Sequence, residues 1–123
     1  FIFPDVSFKK FLLSFKFAIS GIRVIFREEQ SFRIQIIIAV LVIISTFYFK
    51  LSAVEAVVVF TIIFLVLMAE LINSLFERIL DVVHLSNDHR VKKIKDMSAG
   101  IVLFCCIMAS IIGLLIFWPH IRF

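Results

Sequence analysis

Apolar residues dominate three long stretches of the chain, and most charged residues lie outside them. Residues 34–49 carry no charge, residues 51–69 carry only Glu55, and residues 97–118 carry none. A membrane-spanning helix needs about 20 mostly apolar residues, and the first stretch reaches that length with its flanking residues. The pattern therefore predicts three membrane-spanning helices, over residues 31–49, 53–83 and 91–118.

The residues before the first span show apolar side chains at helical spacing. The stripe consists of Phe8, Phe11, Leu12, Phe15, Ile19, Ile22 and Phe26. Beside it runs a column of basic residues, namely Lys9, Lys16, Arg23 and Arg27. This arrangement is typical of a helix that lies in the membrane interface with its basic side toward the headgroups. Residues 5–28 are therefore predicted to form an amphipathic interfacial helix, and the fold class is an all-α integral membrane protein.

Composition and charge agree with a membrane protein and orient it. Hydrophobic residues make up 63% of the 123 residues, and 3 Gly and 2 Pro leave little room for a glycine-rich phosphate loop. Of the 13 Lys and Arg residues, only Lys50 and Arg122 fall on the side opposite the N-terminus. The positive-inside rule then predicts a cytoplasmic N-terminus. The net charge of +4 reflects this topology, and we expect no nucleic-acid partner.

Polar residues interrupt the second span toward its end. Glu70, Asn73, Ser74, Glu77 and Asp81 are spaced so that they share one side of a helix. A helix over 53–83 measures ~46 Å, which exceeds the ~30 Å hydrocarbon core, so its last turns should project into the cytoplasm. Ionisable residues near membrane depth usually face a bundle interior or a polar cavity. The pattern indicates metal, proton or substrate handling.

Other charged residues could complete such a site. Glu28 and Glu29 precede the first span, and one of them could reach Glu77 at the same interface to form an oxygen cage for Mg²⁺. Lys95 could neutralise phosphate oxygens. Asp96 could accept hydrogen bonds from a nucleobase amine or from a neighbouring amide.

Several of these residues stand in a recognisable order. Ala69-Glu70-Leu71-Ile72-Asn73-Ser74 is followed by Glu77, Asp81 and Lys95-Asp96-Met97. With Gly21, Arg23, Glu29 and Phe32-Arg33, nearly the whole chain resembles the prokaryotic diacylglycerol kinase family, which includes the undecaprenol kinases. The resemblance implies one domain over residues 1–123, a helical-bundle homotrimer, and a multi-pass protein of a prokaryotic inner membrane. It also implies phosphorylation of a lipid alcohol at the cytoplasmic interface, with ATP as co-substrate and Mg²⁺ as cofactor.

The resemblance also implies roles for particular residues. The catalytic carboxylate would be Glu70, the metal ligands would be Glu29 and Glu77, and the residues that organise the site would be Asn73 and Asp81. ATP would be bound by Lys10, Phe17, Glu29, Glu77, Lys95 and Asp96. The lipid substrate would be contacted by Arg23, Ser31, Arg33, Glu70 and Ala99.

Some positions depart from the family pattern and leave the lipid open. Lys10 stands where Arg is frequent, Phe17 replaces a Tyr, and Gln35 replaces an acidic residue. Ser98-Ala99-Gly100 looks more like the undecaprenol branch. We expect conversion of diacylglycerol to phosphatidic acid, with an undecaprenol kinase that makes undecaprenyl phosphate as the alternative. A small transporter or a structural membrane subunit without chemistry is the alternative from a different class.

Overall fold

A computed structural model of the chain describes residues 7–83 and 88–122. These residues form the α-helices α1 (Phe8–Glu28), α2 (Gln30–Tyr48), α3 (Ala53–Val83) and α4 (His89–Ile121). The last three are long and apolar enough to span a membrane, which confirms the predicted all-helical fold with three spans. α4 begins before and ends after the predicted range of 91–118. Positions 5–6 of the predicted interfacial helix lie outside the described residues.

The chain divides into two compact units, and the first, which ends at Gln30, contains α1. The Ser7 side chain caps the start of this helix by accepting a hydrogen bond from the Lys10 backbone N–H at 3.2 Å. Phe8, Phe11 and Phe15 make successive ring contacts along one face, with centroid distances of 6.5 and 5.0 Å. These contacts lie along the apolar stripe, and the segregation of apolar and polar residues around the helix confirms that the first helix is amphipathic.

The second unit begins at Ser31 and contains the three spans. Its α3 and α4 pack against each other in antiparallel fashion. Glu55 contacts His120 at one end of the pair, and Asp81 contacts Lys95 at the other end. Val59 is buried on α3, and Val91 and Val102 are buried on α4. Most large apolar side chains of the spans remain exposed, as expected for helices whose outer surfaces contact lipid.

Two local motifs connect α2 to α3. The N–H groups of Lys50 and Leu51 donate to the carbonyls of Phe47 and Thr46, both at 3.2 Å, and Lys50 has a φ of 53°. This pattern is a Schellman motif with a lysine in the left-handed position that usually holds glycine. Ser52 and Glu55 then form a reciprocal capping box at the start of α3, at 2.9 and 3.2 Å.

The α2 helix approaches the α3–α4 pair at both of its ends. Gln35 contacts Glu70 near one end, and just beyond the other end the rings of Phe49 and Phe117 lie 6.1 Å apart. Between these contacts lies an apolar groove of about 540 Å³, lined by residues of all three helices. The polar contact at the Gln35 end marks where the bundle changes from an apolar to a polar interior.

Candidate active site

The C-terminal half of α3 buries polar side chains and exposes apolar ones. Glu70 and Asn73 are only 6% and 8% exposed, and Ser74 is also buried, whereas Ile72 and Leu75 are exposed. This inversion is typical of a membrane helix, because its apolar side faces lipid and its polar side faces the bundle. The face predicted from residue spacing is therefore turned inward at Glu70, Asn73 and Ser74.

The Glu70 carboxylate is hydrogen-bonded from a neighbouring helix. Nε2 of Gln35 on α2 donates to Oε2 of Glu70 at 3.3 Å. The other amide atom, Oε1 of Gln35, is buried and has no hydrogen-bond partner in the part of the chain that the structure describes. The amide therefore presents its donor to Glu70 and leaves its own acceptor unused.

One helical turn further along α3, Asn73 contacts Glu77. Nδ2 of Asn73 donates to Oε1 of Glu77 at 3.5 Å, a long hydrogen bond. Oδ1 of Asn73 is buried and lacks a partner within residues 7–83 and 88–122. Glu70 and Glu77 are two turns apart, or ~10 Å along the helix axis. The two carboxylates thus occupy successive positions on one face, each contacted by a side-chain amide.

Beyond Glu77, one ion pair joins α3 to the first turns of α4, and another lies within α4. Nζ of Lys95 lies 2.5 Å from Oδ1 of Asp81, which joins a predicted ATP-binding residue to a predicted organising residue. Asp96 instead pairs with Lys92 one turn earlier, at 2.8 Å, on an exposed surface. Lys95 and Asp96 are neighbours in the sequence, but their side chains have different partners.

The remaining predicted site residues lie on or next to α1, at the start of α2, and on α4. Lys10, Phe17 and Arg23 are exposed positions of α1, and Glu29 follows that helix, where its backbone N–H donates to Ile25 at 2.9 Å. Ser31 and Arg33 lie in the first turns of α2, and Ala99 is exposed on α4. Glu29 belongs to the first unit and Glu77 to the second, so their joint role as metal ligands stays a prediction.

The donor chemistry near Glu77 suits a hard metal ion. No group of three or more His, Cys, Asp and Glu side chains positioned to hold a metal occurs among the described residues. Mg²⁺, however, is commonly bound by one or two carboxylates together with substrate phosphates. The Glu77 carboxylate and the unpartnered Oδ1 of Asn73 are both oxygen donors, so the residues present fit Mg²⁺.

Comparison with known proteins identifies the family. The sequence profile described as prokaryotic diacylglycerol kinase matches residues 16–117. The chain belongs to the prokaryotic diacylglycerol kinase family. The resemblance seen in the sequence is thereby confirmed, and together with the three apolar helices it makes the chain a membrane protein of a kinase family.

Individual relatives in this family carry two different names. The undecaprenol kinase of Bacillus subtilis is 33% identical over 112 residues, which cover 91% of each chain. The diacylglycerol kinase of Synechocystis is 34% identical over 83% of this chain, but the match spans only 59% of that relative. The diacylglycerol kinase of Haemophilus influenzae is 26% identical over 85% of this chain and 90% of its own length. Both lipid alternatives are thus represented among similar proteins.

Gln35 has no role in the site predicted from the sequence, where it is only a departure from the family pattern. The structure places its amide on Glu70. A signal was present, because Gln35 is the single polar residue between Ile34 and Ile44. A lone amide inside an apolar span must find a hydrogen-bond partner within the protein, and that requirement points to a buried polar contact.

Proposed function

We propose that this chain is a kinase that transfers the γ-phosphoryl group of ATP, with Mg²⁺, to the hydroxyl of a membrane lipid alcohol. The observation that carries the proposal is the buried carboxylate of Glu70, held by Gln35 on the inner face of a spanning helix. A buried carboxylate in a membrane-spanning helix is energetically costly, and such residues usually mark a functional site. Family membership supplies the reaction class.

Glu70 is assigned as the general base of this transfer. The lipid hydroxyl oxygen forms a bond to the γ-phosphorus, the bond from that phosphorus to the bridging oxygen breaks, and ADP leaves. The hydroxyl proton passes to the Glu70 carboxylate. Such a base must lie within hydrogen-bond reach of the proton it takes, and a lipid can bring its hydroxyl to Glu70 by diffusion in the membrane plane.

The residues further along α3 and on α4 are assigned to the nucleotide. Mg²⁺, when bound, offsets the charge that develops on the phosphate oxygens. Glu77 would hold it together with Glu29, while Asn73 orients the Glu77 carboxylate through the amide contact at 3.5 Å. Lys95, positioned by Asp81, would attract the phosphates. Phosphoryl transfer depends mainly on such positioning and charge stabilisation.

The other predicted residues complete this proposal. Lys10, Phe17 and Asp96 would bind the nucleotide, and Arg23, Ser31, Arg33 and Ala99 would contact the lipid. The site would lie at the cytoplasmic side of the inner membrane, with the N-terminus on that side. The subunits would form a homotrimer, as the family resemblance implies. One small chain has little polar surface with which to enclose ATP, which favours a site shared between subunits.

Diacylglycerol is the proposed lipid, with undecaprenol as the alternative. A specific observation favours the alternative: the undecaprenol kinase of Bacillus subtilis matches over 91% of both chains. A transporter would have its charged site near the bilayer midplane, whereas the polar residues of α3 continue to Asp81 at its C-terminal end. The transporter alternative is therefore less well supported.

The test is transfer of labelled phosphate from ATP to lipids in mixed micelles. Separate micelles contain diacylglycerol, undecaprenol, or no added alcohol, and each is assayed with and without Mg²⁺. We expect Mg²⁺-dependent label in phosphatidic acid. Label mainly in undecaprenyl phosphate would support the alternative, and absence of labelled lipid with both alcohols would contradict the proposed function.

A further inference from the structure

We propose that Gln35 is the positioning residue for Glu70, which it holds in the orientation needed to take the proton of the lipid hydroxyl. This inference rests on the proposed kinase function. It goes beyond that function by assigning a role to a residue on α2, a helix that the site predictions involve only through Ser31 and Arg33. The basis is the contact from Nε2 of Gln35 to Oε2 of Glu70 at 3.3 Å.

The surroundings of Gln35 argue against a purely structural amide. Every other residue between Ile34 and Ile44 is apolar, so an amide at this position must be compensated by hydrogen bonds inside the bundle. An amide retained only for packing would be expected to have both its donor and its acceptor satisfied. Gln35 instead uses its N–H group on Glu70 while its Oε1 atom stays buried without a partner in the described chain.

The contact restricts rotation of the Glu70 carboxylate. The terminal torsion of a glutamate side chain has a broad preference, so the contacts of the carboxylate set its orientation. A hydrogen bond from another helix to Oε2 defines the plane of the Glu70 carboxylate and hence the direction of Oε1. Catalysis is sensitive to such orientation, since small misplacements of a reacting group reduce rates strongly.

The chemical type of the residue also fits this role. A glutamine donates an N–H group to an ionised carboxylate without itself gaining or losing a proton. A methionine would fill similar space and offer no donor.

The experiment compares Gln35→Met, Glu70→Gln and the double variant in the full chain, in the mixed-micelle assay described above. We expect Gln35→Met to lower kcat by about 10- to 100-fold, which is typical of losing a hydrogen bond to a charged group. The KM for ATP should stay within about twofold of the wild type. In the double variant the loss should equal that of Glu70→Gln alone, because Gln35 acts only through Glu70.

A control removes a different buried polar group from the same helix. Thr46 is buried on α2. Its side-chain Oγ1 donates to the Val42 carbonyl of the same helix at 3.0 Å. Thr46→Val should leave kcat within about twofold of the wild type. If Thr46→Val lowers kcat as much as Gln35→Met, the effect is a general one on α2 and the positioning role is overturned.

The remaining outcomes also decide the proposal. Unchanged kcat in Gln35→Met, or losses that multiply in the double variant, would overturn the role of Gln35 while the kinase function stands. If Gln35→Met does not fold, Gln35→Leu removes the same donor with a different apolar side chain, so a lowered kcat supports the proposal and an unchanged kcat overturns it. Absence of lipid phosphorylation by the wild-type chain would instead overturn the kinase function itself.

Discussion

The ammonium nitrogen of Lys95 on α4 lies 2.5 Å from Oδ1 of Asp81 on α3. The two side chains are 34% and 64% exposed, and ion pairs in such surroundings contribute only ~0–1 kcal/mol to stability. The pair is therefore better explained by what it positions. It keeps a cation on the side of α4 that faces α3, the helix that carries Glu70 and Glu77.

Lys95→Met should weaken ATP use while the fold is kept. We expect the KM for ATP to rise about tenfold, which corresponds to ~1.4 kcal/mol, because a charge that attracts the phosphates is removed. The thermal unfolding temperature in detergent should change little. Lys50→Met removes the same charge from the turn at the other end of α3 and should leave the KM for ATP unchanged. Equal effects of the two variants would contradict the assignment of Lys95.

Glu70→Gln should abolish most turnover and preserve nucleotide binding. The amide keeps the shape of the side chain but cannot take the hydroxyl proton, and loss of a general base lowers rates by roughly 10²- to 10⁴-fold. The comparison variant is Glu55→Gln, an identical change at the other end of α3, which should retain turnover. Near-normal turnover of Glu70→Gln would remove this residue from the chemistry, and lost ATP binding would reassign it to the nucleotide site.

Glu77→Gln should raise the Mg²⁺ concentration needed for half-maximal activity. An anionic oxygen ligand becomes a neutral one of similar size, which weakens a magnesium site. We predict the same change for Glu29→Gln and an increase of at least about tenfold in either case, equivalent to ~1.4 kcal/mol. Titration of activity with Mg²⁺ at saturating ATP measures it. An unchanged titration curve in either variant shows that its carboxylate is not a ligand.

Lys50→Gly should stabilise the turn between α2 and α3. Lys50 has a φ of 53°, and the left-handed region is unfavourable for a residue with a Cβ atom by roughly 1–2 kcal/mol. Glycine removes that penalty but loses ~0.5–1 kcal/mol through greater freedom of the unfolded chain. We expect a net gain of up to about 1.5 kcal/mol in the free energy of unfolding, measured by denaturant titration in micelles. Lys50→Ala keeps the Cβ atom, so it should show no such gain.

Much of the fold could be predicted from the sequence because its signals are local. The uncharged stretches indicated the spans, and the spacing from Phe8 to Phe26 indicated an amphipathic helix. The ends of α4 were less well predicted. Asp88 begins this helix by accepting a hydrogen bond from the Arg90 N–H at 2.8 Å, and Pro119 is tolerated in its last turn.

The candidate site could be predicted from the sequence only in part. Helical spacing placed Glu70, Asn73 and Glu77 on one side of α3, and the structure turns this side inward at Glu70 and Asn73. Spacing says nothing about partners on other helices. It could not show that Gln35 donates to Glu70, or that Asp81 rather than Asp96 pairs with Lys95.

The sequence by itself determined the helices, their membrane-spanning character and the polar side of α3, because helix periodicity and hydrophobic length depend on neighbouring residues in the chain. Only the tertiary structure decided which side chains meet across helices. The contacts of Gln35 with Glu70 and of Glu55 with His120 join residues 35 and 65 positions apart. Such contacts depend on how the helices are rotated and aligned against each other, and a side chain that reaches its partner in one alignment misses it after a shift of one residue.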